Sequence, residues 1–163
     1  MTEKQQIEKI TAEKFLKVYN KEFNTSFVVK ELSDSPDVIC EDSVGHQLKL
    51  EITLTEDHDG DIKALLGRSE HKNLEYVKQH GMGPVSSLPG NVSEQVANKI
   101  LKKMSTDYGN NVALVVRDVS PIGWDWNPII KNLKAQLVDT KNLFDKGIWI
   151  FTSSQQDKIF RVL

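Results

Sequence analysis

The sequence predicts an α/β fold, a three-layer α/β/α sandwich around a central mixed sheet, and three observations carry that expectation. Apolar positions repeat with helical or strand periods in the order helix, three strands, an interposed segment, helix, strand, helix, strand, strand. Residues 47–54 alternate cleanly, with Leu48, Leu50, Ile52 and Leu54 on one face and Lys49, Glu51 and Thr53 on the other. Residues 111–117 form a continuous apolar run, as a strand covered on both faces requires.

Residues 3–24 read as the first helix. Thr2 can cap it, and neither glycine nor proline interrupts it. At about 100° per residue, Ile7, Thr11, Ala12, Phe15, Leu16, Val18, Tyr19 and Phe23 share one arc. Glu8 falls inside that arc, where a lone carboxylate is costly. It therefore needs a cationic partner, a metal, or a helix end that is still wet. Residues 26–32, β-branched and aromatic, suit the first strand. Pro36 then sets the start of a second strand, 37–40. The turn at 41–45 ends in Gly45 and returns the chain as the alternating strand 47–54.

Residues 55–91 read as an insertion. Asp57, Asp59 and Asp61 alternate in an acidic loop, but Gly60 is off position for a calcium loop and Arg68 stands where a glutamate is needed. A helical pattern covers 61–79. His58, His71 and His80 share no zinc spacing and read as surface residues. Residues 81–90 form a glycine- and proline-rich loop without the signature of a phosphate loop. The next helix spans 93–104, capped by Asn91 or Ser93. Val96, Ala97, Ile100, Leu101 and Met104 form its apolar stripe, Lys99 and Lys103 border one edge, and Lys102 faces away. After the buried strand comes a loop, 118–128, in which Asn127 caps a helix that opens on Pro128 and runs to about 144. Two strands close the chain, 147–152 and 158–163. Trp124 and Trp126 could stack on bases, but closing one end of the core is the favoured reading.

The 163 residues suit one domain, with 39% hydrophobic and 27% charged residues. The net charge of −2 excludes a globally basic nucleic-acid binder, so any phosphate contact must come from a local patch. The lone Cys40 excludes an internal disulfide and fits a reducing compartment. The polar start, the absence of an apolar signal core and the absence of a membrane-length apolar run lead to a cytoplasmic protein without a membrane partner.

The chemistry concentrates in the hairpin. Asp37 opens its first strand and Glu51 lies midway along its second. Paired antiparallel, the two carboxylates can reach the same face at one end of the sheet. Like charges that close repel unless a cation lies between them. Mg²⁺ or Mn²⁺, hard ions that take oxygen ligands, suit the pair. The alternative is an ordinary half-exposed hairpin carrying two solvated acids.

Pro36-Asp37, followed by Glu51-Ile52-Thr53 fourteen residues after Asp37, resembles the PD-(D/E)XK nuclease superfamily. The helix–three strands–helix–strand order over residues 3–117 is similar to the core of that family, with 118–163 as a C-terminal elaboration of a single domain, 1–163. The resemblance implies a restriction-endonuclease-like core. It implies a Mg²⁺- or Mn²⁺-dependent nuclease that hydrolyses phosphodiester bonds, in DNA before RNA, with homodimers frequent. It also implies that Asp37 and Glu51 hold the metal with the backbone carbonyl of Ile52, and that a glutamate of the first helix, Glu8, points at the same site. The family places a catalytic lysine two residues after the glutamate, where this chain has Thr53. Some members carry it on the following helix instead, which makes Lys103 the first candidate and Lys99 the second. Lys49 competes, since it shares the face of Glu51. Lysines bordering an apolar stripe are also simply its polar rim. The departure at Thr53 leaves a second reading: a catalytically inactive nuclease-fold domain that binds a partner or regulates.

Overall fold

The computed structural model describes residues 1–55, 89–119, 124–153 and 156–163. The expected acidic loop, the helical pattern at 61–79, the three histidines His58, His71 and His80, and the loop at 81–88 lie outside the described residues.

The chain forms α1 (Glu3–Phe23), β1 (Val28–Leu32), β2 (Val38–Glu41), β3 (Gln47–Leu54), α2 (Pro89–Met104), β4 (Val112–Arg117), α3 (Trp126–Leu137), β5 (Ile148–Thr152) and β6 (Lys158–Arg161). The six strands make one mixed sheet in sequential order, β1 to β6. β1–β2, β2–β3 and β5–β6 are antiparallel, and β3–β4 and β4–β5 are parallel. The two parallel pairs are those whose connections hold α2 and α3, since a parallel pair needs a long crossover.

Alternate residues of β4 enter two separate apolar clusters, which is why its sequence does not alternate. Val112, Leu114 and Val116 pack with Ile100, Ile129 and Leu133 of α2 and α3. Ala113 and Val115 pack with Ala12 and Phe15 of α1 and with Leu50 and Ile52 of β3. Cys40 lies in the second cluster, free and fully buried, and burial pushes its thiol up to about 12. It is therefore a packing residue rather than a nucleophile.

The helix ends show how local chemistry moves boundaries. α1 begins at a capping box, in which Thr2 Oγ1 accepts from the Gln5 amide at 3.1 Å and the Thr2 amide donates to Gln5 Oε1 at 3.0 Å. It stops at Asn24, whose left-handed backbone (φ 54°) directs its N–H to the Asn20 carbonyl. α2 starts at Pro89, four residues before the expected 93, so Asn91 and Ser93 are inside the helix instead of capping it. Proline has no N–H to lose in a first turn. Leu101, expected in the apolar stripe, is 42% exposed.

α3 starts at Trp126 rather than Pro128, because Asp125 and not Asn127 is the cap: its Oδ1 accepts from the Asn127 amide at 3.2 Å. It ends at Leu137, well before 144. Asp125→Ala is expected to cost about 1 kcal/mol, seen as a fall of about 2–4 °C in Tm by calorimetry; an unchanged Tm would remove Asp125 from this role. Trp126 is buried in the α2–α3 cluster and Trp124 packs against it, so both tryptophans belong to the core, as favoured. Trp126 Nε1 and Thr152 Oγ1 both donate to Asp118 Oδ2, each at 3.2 Å. No helix among the described residues is long and apolar enough to cross a membrane.

Candidate functional site

Register brings the two hairpin acids together. Val38 pairs with Leu50, so one step further Asp37 stands opposite Glu51 on the same face. Both are buried, at 4% and 3% exposure. β2 begins only at Val38, so the Ile52 amide, which faces β2, is taken by a side chain: Asp37 Oδ2 accepts from it at 2.8 Å. The N–H and C=O of one strand residue lie on the same edge, so the Ile52 carbonyl faces the Asp37 side as well.

Two helices complete the site. Lys103, in the last turn of α2, donates from Nζ to Glu51 Oε2 at 2.7 Å. Its side chain is 29% exposed and that of Glu51 only 4%. Burial lowers the Lys103 pKa, but the hydrogen bond and charge of Glu51 outweigh this and leave it above its ordinary value. Glu51 Oε1 is buried and has no hydrogen-bond partner among the described residues.

Glu8, on α1, has the cationic partner its position demanded: Lys4 Nζ is 3.7 Å from Oε1. Burial nonetheless holds the Glu8 carboxyl above the usual range. The charge of Glu51 adds to this, while Lys4 and a hydrogen-bonding interaction with Asp37 oppose it. Asp37 responds most strongly and is pushed up to about 7. Burial is the main cause; the charges of Glu51 and Glu8 add to it, and the Ile52 amide opposes it. The three acids therefore feel one another's charge. Even so, no three Asp, Glu, His or Cys side chains among the described residues close around one point as a ready-made cage. The arrangement offers two facing carboxylates and a backbone carbonyl rather than a full ligand shell.

A cleft of about 680 Å³ opens beside these acids, between the first turns of α1 and the end of α2; Lys4, Glu8, Lys99, Lys102, Lys103 and Tyr108 line it. Lys99 thus reaches the cleft and Lys103 reaches the acid itself. Lys49, half-buried on the face of Glu51, does not line the cleft. Thr53, two residues after Glu51, lies on the cleft wall. A second cavity of about 530 Å³, between α1 and β1, contains none of the site acids.

Sequence reasoning passed over Lys4 and Tyr108, and it took Lys102 to face away from Lys99 and Lys103, whereas all three line the same cleft. Lys4 stands four residues before Glu8, a spacing that pairs on a helix and was legible. Tyr108 sits in the loop after α2, and nothing in the sequence alone directs it here. Burial and the nearby Glu51 charge raise its phenol pKa while Lys103 lowers it, which places the ring close to both.

Comparison with family models, with curated proteins and with solved structures finds no match to this chain.

Proposed function

We propose that this protein is a metal-dependent phosphodiester hydrolase acting on nucleic acid, built as a three-layer α/β/α sandwich with a restriction-endonuclease-like core. The observation that carries the reading is Glu51. It faces Asp37 across the hairpin, keeps one buried oxygen without a partner, and is met at its other oxygen by a lysine from the helix. A buried anionic oxygen left unpaired is costly, and a hard cation would satisfy it.

The donor set suits Mg²⁺ or Mn²⁺. Mg²⁺ is commonly held by one or two carboxylates plus water, so Asp37, Glu51 and the Ile52 carbonyl suffice without a protein cage. Bound there, the ion would activate water and offset charge on the scissile phosphate. Asp37 and Glu51 hold the site, and Glu8 adds negative charge on the α1 side. Lys103 keeps an ammonium at Glu51 and, at the cleft edge, is positioned to neutralise charge developing on the phosphate. Lys99 is the second cation on that wall and Lys49 the third candidate. The reading carries with it a cytoplasmic protein, DNA before RNA as substrate, and the homodimeric state frequent among such nucleases.

Thr53 favours the other reading, an inactive nuclease-fold domain that binds a partner or regulates. Incubation of labelled DNA and RNA with Mg²⁺ or Mn²⁺, and in parallel with EDTA, separates the two. Cleavage that requires the ion supports the hydrolase, and intact substrate with both ions supports the binding module. Within the hydrolase reading, Lys103→Met keeps the apolar stem but removes the charge and is expected to lower the cleavage rate about 10²-fold. A rate equal to the unmutated protein in a single-turnover assay would move the role to Lys99 or Lys49.

A further inference from the structure

We infer that the cleft beside the acid pair receives a single nucleic-acid strand rather than a duplex, with Tyr108 as a stacking platform and Lys4, Lys99 and Lys102 as its phosphate contacts. The inference rests on the hydrolase reading and names the substrate class for the same site.

Charge is the first argument. The chain carries a net charge of −2, yet four lysines against two glutamates, Glu3 and Glu8, line this one cleft, which leaves it locally basic. Lys99, Lys102 and Lys103 come from the last two turns of α2, and Lys4 faces them from the first turns of α1. A cation row confined to a cleft suits a backbone that enters it, whereas a duplex needs a broad basic surface.

The ring is the second argument. Tyr108 is half-buried and stacked on Phe144, with centroids 5.7 Å apart and planes at 24°. Phe144 is buried in the core and fixes the tyrosine's orientation. A rigid aromatic on the wall of a basic cleft is the pairing that sequence-tolerant single-strand binders use. Leu54, half-buried on the same cleft, adds apolar surface on which a base can rest. Bases in a duplex already stack on one another and offer no free face, whereas single-strand bases do. The position of Tyr108 beside Lys103 and Glu51 sets a stacked base next to the acids, which brings its phosphate toward them.

The test is fluorescence anisotropy in EDTA with the full chain, so that no cleavage occurs. The probes are a labelled oligo-dT of about twelve nucleotides, an oligo-U of equal length and a duplex of equal length. One of the single strands is expected to bind at least about tenfold tighter than the duplex. The log–log salt slope should be no steeper than about −2, since three lysine contacts at about 0.7 each set the limit. Tyr108→Leu, which keeps apolar packing on Phe144, is expected to weaken single-strand binding about tenfold. Lys102→Glu, at an exposed site and with folding checked by circular dichroism, is expected to weaken it by a similar factor. Tighter oligo-U than oligo-dT binding would identify RNA as the strand. Duplex binding as tight as single-strand binding would overturn the inference, as would single-strand binding indifferent to both substitutions. Binding in EDTA without cleavage in Mn²⁺ would retain the strand site and remove the hydrolase reading.

Discussion

Cleavage by an Asp37→Ala/Glu51→Ala variant is expected to fall at least about 10³-fold relative to the unmutated protein in Mg²⁺ or Mn²⁺. The reasoning runs from register to energy. Asp37 and Glu51 face each other because Val38 pairs with Leu50, and both carboxylates are almost fully buried. Removing them removes both side-chain ligands from the proposed ion site and leaves only a backbone carbonyl. Metal assistance contributes several kcal/mol to a phosphodiester barrier, and about 4 kcal/mol corresponds to three orders of magnitude in rate. The variant also loses the acceptor for the Ile52 amide, so its folding must be checked by circular dichroism beside the assay. A correctly folded variant that cuts as fast as the unmutated protein would end the catalytic claim.

The second large effect concerns pH and needs no substrate. Asp37 is pushed from 3.8 up to about 7, first by burial and then by Glu51 and Glu8. The folded chain thus holds this proton more tightly than the unfolded chain, and protonation favours folding. That contribution is fully present below about pH 4 and is lost as pH rises through about 7. A shift of about three units, at 1.36 kcal/mol each, sets its size on the order of 2–4 kcal/mol. Glu8 is shifted in the same direction.

Asp37→Asn keeps one oxygen to accept from Ile52 but cannot ionise. In EDTA it is expected to match the unmutated protein at pH 4 and to exceed it in stability at pH 8, by urea denaturation. Millimolar Mn²⁺ at pH 8 is expected to raise the stability of the unmutated protein and to leave Asp37→Asn nearly unchanged. If the stability difference between the two proteins does not change with pH, burial and the neighbouring acids do not hold the Asp37 proton as the geometry requires.

Much of this architecture was legible. The alternation at Leu48, Leu50 and Ile52 fixed which face Glu51 occupies, and antiparallel pairing then placed Asp37 beside it. The unbroken apolar run of β4 announced a strand between two clusters, and the edge position of Lys103 on α2 announced its reach. What escaped depended on contacts between residues distant in the chain. Asp145 Oδ1 and Oδ2 accept from the Val112 and Asn111 amides at 2.8 Å, and Arg117 Nη1 donates to Thr11 Oγ1 at 2.7 Å. No local period encodes either contact. The start of α3 at Trp126 escaped because Asp125 and Asn127 are both good caps, and the burial of Trp126 beside Asp118 decided between them. Leu101 has the period of the stripe but is 42% exposed, so the buried arc of α2 is narrower than the period suggests.

The central claim, that Asp37 and Glu51 share one divalent ion, is tested most directly by titrating Mn²⁺ into the protein at pH 8 in a calorimeter, without nucleic acid. Saturable one-site binding to the unmutated protein, absent in Glu51→Ala, is the predicted result. No heat of binding at millimolar Mn²⁺, or binding of equal affinity in the variant, would contradict it.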